Sequence, residues 1–193
     1  MKKFFPFMGL ALIWVGSGCS GPTTKDSTAA ADSVNTAKID SGSSKVASST
    51  AEEDSQFAVK AANGGMAEVE LGQLAQEKSK DARVKSFGAM MVADHSKAND
   101  ELKALATSKN ITLPAAPGED EQKLKADLSE KSGKDFDKAY IEAMLKDHQK
   151  DVKEFEDARS KVKDPDLLTF IDKTLPVLKK HLQHVETISK EIK

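Results

Sequence analysis

The chain has 193 residues, enough for one ordinary domain with appendages. Its 29 Lys and Arg nearly balance 31 Asp and Glu, and there is no phosphate-cradling glycine loop and no basic run interleaved with aromatics, so nucleic acid is not an expected partner. Charged residues make up 31% and aromatics 5%, a balance that fits amphipathic helices rather than a β-sandwich.

The first elements are targeting segments. Lys2 and Lys3, the short apolar run from Phe4 to Val15, and Gly16, Ser17 and Gly18 make residues 1–19 a signal peptide. The run is too short to persist as a membrane span. Cys19 is the only cysteine, which excludes an intramolecular disulfide. A lone cysteine behind small residues resembles a bacterial lipoprotein processing site, where the thiol receives lipid, although Gly16 stands where that pattern usually carries leucine. The resemblance implies a membrane partner reached through lipidated Cys19. With Ser20 next in the chain, it implies an outer-membrane lipoprotein of the cell envelope facing the periplasm. An ordinary cleaved signal would give a secreted or periplasmic protein instead. Residues 20–53 are rich in Ser, Thr, Ala, Asp and Lys and hold only Val34, Ile39 and Val46 as large apolar side chains. Such a stretch buries too little to offset its ordering entropy and is expected to be a disordered, flexible tether.

The folded domain is expected over residues 54–193 and is all-α. A first helix, about 51–80, carries Phe57, Ala61, Gly65, Glu68, Leu71, Gly72 and Ala75 on one face, with Glu68 in mid-stripe and Glu70 turned away. Its glycines let a neighbouring helix approach closely. A second, about 81–109, places Val84, Phe87, Met91, His95, Ala98, Leu102 and Leu105 together and ends before Pro114 and Pro117. A short amphipathic piece follows at 119–131. The third long helix, about 134–162, carries Ile141, Met144, His148, Val152 and Phe155. Asp164 and Pro165 then start a fourth, as N-cap and first-turn proline. Its expected core stripe is Leu168, Ile171, Leu175, Leu178, Leu182 and Val185. His181 flanks that stripe, Pro176 kinks the helix, and His184 faces solvent. Four long helices with a short extra helix between the two hairpins predict a four-helix bundle.

The segments 64–75 (Gly-Gly-Met-Ala-Glu-Val-Glu-Leu-Gly-Gln-Leu-Ala), 91–99 (Met-Val-Ala-Asp-His-Ser-Lys-Ala-Asn), 136–140 (Phe-Asp-Lys-Ala-Tyr) and 174–182 (Thr-Leu-Pro-Val-Leu-Lys-Lys-His-Leu) carry a family resemblance. Together they resemble the bacterial domain-of-unknown-function family 4142, whose members are described as outer-membrane proteins and grouped with ferritin-like bundles. The resemblance covers about residues 54–192 and implies a ferritin-like four-helix bundle. It brings no biochemical activity. The positions it marks are Glu68, Asp94, His95, His148, Thr174, Pro176 and His181.

In a bundle, Glu68, His95, His148 and His181 come inward, one from each long helix. Three imidazoles and a carboxylate suit Zn, Cu or Fe better than Mg or Ca. Met91 and Met144, one turn before two of the histidines, read as core filler rather than copper ligands. Asp94 and Asp147 are candidates to orient the rings from outside the metal shell. Their positions beside His95 and His148 also allow plain solvation. Val92 and Leu145 stand three residues before the histidines, so the paired Glu-x-x-His of an oxygen-activating di-iron enzyme is missing. No serine or cysteine nucleophile is set beside a base, so the sequence does not point to an enzyme. Two readings stay open. One is a tethered envelope protein that binds a metal or small ligand in stress or metal handling. The other is a structural or interaction lipoprotein whose Glu/His cluster is only a buried polar network.

Overall fold

The computed structural model describes residues 26–41 and 45–192, with 45–50 as backbone only. The expected signal peptide and Cys19 lie outside the described residues. Six helices form: α1 (Ser27–Asp40), α2 (Lys45–Lys78), α3 (Ala82–Ser108), α4 (Glu119–Ser129), α5 (Gly133–Lys161) and α6 (Pro165–Glu191). Among the described residues there is no strand, and no helix is long and apolar enough to cross a membrane.

Local chemistry sets the boundaries. Asp81 caps α3 by accepting from the Arg83 N–H at 2.9 Å. Asp164 caps α6 through the Asp166 and Leu167 N–H groups at 3.0 Å, with Pro165 as the first helical residue. α3 stops at Asn110, whose φ of 55° is left-handed, and the Ile111 N–H closes back on the Ala106 carbonyl at 2.8 Å. Helix α6 runs on through Pro176, which is exposed. The carbonyl that loses its partner there is therefore solvated.

Two apolar clusters fix the topology. One holds Leu71 and Leu74 from late α2, Val84 and Phe87 from early α3, Phe136 and Tyr140 from early α5, and Val185 and Ile188 from late α6. The other holds Phe57 from early α2, Leu102 from α3, Phe155 from late α5, and Leu167 and Phe170 from early α6. Each cluster caps one end of the bundle. α2 and α6 therefore run in one direction and α3 and α5 in the other, and the chain between α3 and α5 crosses the length of the bundle, carrying α4. Contacts join α2 to α3, α3 to α6, α6 to α5 and α5 to α2 in a closed ring. At Gly72 and Gly88 the α2 and α3 backbones nearly touch, since a Cβ on Gly72 would stand 2.6 Å from the Gly88 carbonyl oxygen.

Two expectations need correction. The described part of the 20–53 stretch is not a flexible tether: Ser27–Asp40 forms α1, and α2 already begins at Lys45. Helix α1 packs on α2 with Ala31 buried, and hydrogen bonds tie it to the crossover. Buried Asn35 donates to the Thr112 carbonyl at 2.9 Å and accepts from the Thr112 N–H at 2.7 Å, while Lys38 reaches the Asn110 carbonyl at 2.9 Å. The crossover is thus pinned by α1. Replacing Asn35 with alanine removes both partners from the half-buried Thr112 backbone and is expected to cost about 1 kcal/mol locally. Hydrogen exchange should show the Thr112 amide opening faster while amides in α3 and α5 keep their protection.

The α6 stripe also lies off the expected phase. Leu167, Phe170, Ile171, Leu178, His181, Val185 and Ile188 are buried, whereas Leu168, Leu175 and Leu182 form the partly exposed rim. His181 therefore sits inside the buried face and not beside it. His184 is exposed, as expected.

Candidate metal centre

The two apolar clusters meet at mid-bundle, and the layer between them is polar. Glu68 lies three residues before Leu71, His95 one turn after Met91, His148 one turn after Met144, and His181 between Leu178 and Val185. Helical periodicity that turns the flanking residues inward must turn these inward too. Glu68, His148 and His181 are 0% exposed and His95 6%. The ring centroids are 6.0 Å apart for His95–His148, 5.3 Å for His95–His181 and 5.5 Å for His148–His181. One ring nitrogen from each histidine lies within 4.8 Å of the other two.

Each ring has one nitrogen facing an oxygen. His148 Nδ1–H donates to the Met144 carbonyl at 2.9 Å. His181 Nε2–H donates to Asp94 Oδ2 at 2.8 Å. His95 Nδ1 lies 2.8 Å from Glu68 Oε2. The opposite nitrogens, His95 Nε2, His148 Nε2 and His181 Nδ1, are buried with no hydrogen-bond partner among the described residues. Both Glu68 oxygens are in the same condition: they stand at ion-pair distance from His95 and, at 3.2 Å, from His148 Nε2, yet neither accepts an aligned hydrogen bond. Three imidazole nitrogens and two carboxylate oxygens thus lack aligned partners in one buried layer. A buried polar group in that condition normally costs a few kcal/mol.

Charge follows the same geometry. Burial pushes the Glu68 carboxyl up, but the His95 and His148 charges outweigh it and hold the group below the usual carboxylate range. Burial pushes His95 down, and Glu68 overrides it, so His95 ends above its ordinary value. Burial takes His181 down to about 4 despite Asp94, which leaves it a neutral ring with a free lone pair at neutral pH.

The remaining sites fall differently. Asp94 does not orient its neighbour His95. It reaches across from α3 to fix His181 on α6, with 44% of its side chain exposed. Asp147 stands with Glu68 and Asp151, one carboxylate oxygen of each within 4.8 Å of the others. Burial, then the Glu68 charge, pushes Asp147 up to about 7. Asp151 was not singled out by sequence reasoning, and its position four residues after Asp147 was the available signal. Met91 and Met144 are fully buried in the apolar cluster below the polar layer, as filler. Glu70 faces α4 and pairs with Lys125 at 2.8 Å.

Space is left beside the cluster. Gly64 and Gly65 precede Glu68 by one turn, and a Cβ on Gly65 would stand 2.1 Å from Asn99 Oδ1. A cavity of about 30 Å³ lies there, lined among others by Glu68, His95, Asn99, Asp151 and Thr174. A second, about 120 Å³, is lined by Asp94, His95 and His181 along with Lys97 and Lys173.

Fold and site together define an all-helical bundle with a buried His/Glu cluster at its centre. Residues 41–188 match the family described as Domain of unknown function (DUF4142), and the chain belongs to that family. No curated protein matches the chain, and no solved structure matches it.

Proposed function

We propose that this protein is a metal-binding bundle of the bacterial cell envelope, holding one Zn, Cu or Fe ion on His95, His148 and His181 with Glu68 beside them. The observation that carries this reading is the set of buried nitrogens without partners. His148 and His181 each have one N–H taken by an oxygen, the arrangement that fixes a metal-ligating imidazole, while the opposite nitrogen makes no aligned hydrogen bond, that of His148 standing 3.2 Å from Glu68. A purely structural network would also close the inner nitrogens of His95 and His181 on one another or on Glu68. By donor type the site favours borderline metals. The crossover between parallel α3 and α5 is the connection that ferritin-like bundles use. The donor set, with one glutamate and three histidines, differs from their paired Glu-x-x-His, so metal storage or transfer is favoured over oxygen activation. We further propose that lipidated Cys19 anchors the bundle to the outer membrane facing the periplasm, where it acts in stress or metal handling.

The test is equilibrium dialysis of the full-length protein against Zn²⁺, Cu²⁺ and Fe²⁺. One equivalent retained by the parent and lost in a His95→Ala, His148→Ala double variant supports the reading. Equal retention in both proteins contradicts it. Asp94 supplies a finer check. Asp94→Ala frees His181 to rotate, so Zn²⁺ affinity is expected to fall roughly 10–100-fold by calorimetry while the fold stays intact.

A further inference from the structure

An ion bound to the three histidines needs a way in, since none of them is more than 6% exposed. The bundle is two close helix pairs, α2 with α3 and α5 with α6, which meet along looser seams. One seam, between α3 and α6, holds the 120 Å³ cavity, and every residue lining it comes from these two helices. It touches both His95 and His181. His95 turns Nδ1 to Glu68, which does not line this cavity, and its unpartnered Nε2 is on the ring edge away from Glu68. The 30 Å³ cavity touches His95 alone of the three and has room for about one or two waters, too few for an ion arriving with part of its water shell.

The walls suit the passage of a cation. Asp94 links solvent to the cluster: its side chain is 44% exposed, yet Oδ2 stands 2.8 Å from Nε2 of buried His181. Lys173 of α6 pairs with Glu101 of α3 across the seam, and exposed pairs of this kind break readily. On α6 the lining residues Thr174 and Val177 flank Pro176, where the helix lacks one backbone hydrogen bond and gives most easily. We propose that the α3–α6 cavity is the port through which a hydrated divalent cation enters and leaves the three-histidine site, with Asp94 as the first carboxylate it meets and the Lys173–Glu101 pair as a strap across the mouth. The inference rests on the three-histidine reading above. A port sets rates rather than affinity, because a barrier on the path slows entry and release alike. Lys97 lines the same cavity, is exposed and has no described salt bridge, so its charge repels an arriving cation.

The experiment follows Zn²⁺ in stopped flow as it passes from an indicator dye to full-length protein, then from loaded protein to excess chelator. Val177→Phe fills the cavity without touching a histidine ligand, and is expected to slow loading and release alike, roughly tenfold, with the dissociation constant unchanged. Lys97→Glu, at an exposed position, is expected to speed loading several-fold at low salt and to lose that gain at high salt. Lys161→Glu makes the same change beside a cavity that touches none of the histidines, and is expected to load as the parent does. Loading at the parent rate in Lys97→Glu overturns the port, whatever the bulkier variant does to the fold, and leaves the three-histidine site standing. Parent rates in folded Val177→Phe, or equal acceleration by Lys161→Glu, overturn it too. Failure of the parent to take up Zn²⁺ overturns the three-histidine reading itself, and the port with it.

Discussion

Metal-free Glu68→Ala is expected to lose about 3–5 kcal/mol of stability near neutral pH, because removing one partner of a buried ion pair strands the other. Glu68 is fully buried, 2.8 Å from His95 and 3.2 Å from His148. The pH dependence has a definite sign. The carboxyl is held below its ordinary value of 4.5, so its contribution is present above pH 4.5 and fades as pH falls from there through the folded value. His95 is held above its ordinary 6.5, so its contribution is present below pH 6.5 and fades as pH rises through the folded value. The gap between parent and variant should therefore be widest between pH 4.5 and 6.5 and narrow on both sides. Urea unfolding across that range measures it. A loss under about 1 kcal/mol, flat with pH, would show that Glu68 and His95 are not a pair in the apo protein.

The second large effect is metal-linked. Zn²⁺ at a hundredfold excess over its dissociation constant should stabilise the parent by about 2.7 kcal/mol, which for a chain of this size raises Tm by roughly 5–11 °C. His148→Ala removes a ligand whose ring is fixed by the Met144 carbonyl and whose other nitrogen has no partner, and the shift should vanish. Protons compete for the same nitrogens, so the parent's shift should also shrink below about pH 6. An equal shift in the variant would place the ion elsewhere on this charged surface.

The inward set was legible because each member interrupts an apolar stripe at helical spacing, and helix phase alone turns such residues to the core. What phase cannot supply is the partner. Asp94 stands beside His95 in sequence but turns away from it by helix phase, and its hydrogen-bond partner, His181, comes from another helix 87 positions away. Asp151 reads as one more acidic residue on a half-exposed face, and only the approach of α2 through Gly64 sets it beside Glu68. The α6 stripe was misphased because the leucines at 168, 175 and 182 repeat every seven residues and mark the rim, while Phe170 and Ile188 mark the centre. Helix α1 escaped composition arguments because those weigh apolar burial, and α1 is held by Asn35 and Lys38 against the crossover backbone.

The most direct test of the central claim is X-ray absorption at the zinc edge on protein carrying one equivalent of Zn²⁺. Nitrogen scatterers at about 2.0–2.1 Å with outer-shell scattering from three imidazoles are the result the geometry requires. A shell of oxygen alone, without imidazole, would mean that the three histidines are core structure and that the ion sits among surface carboxylates.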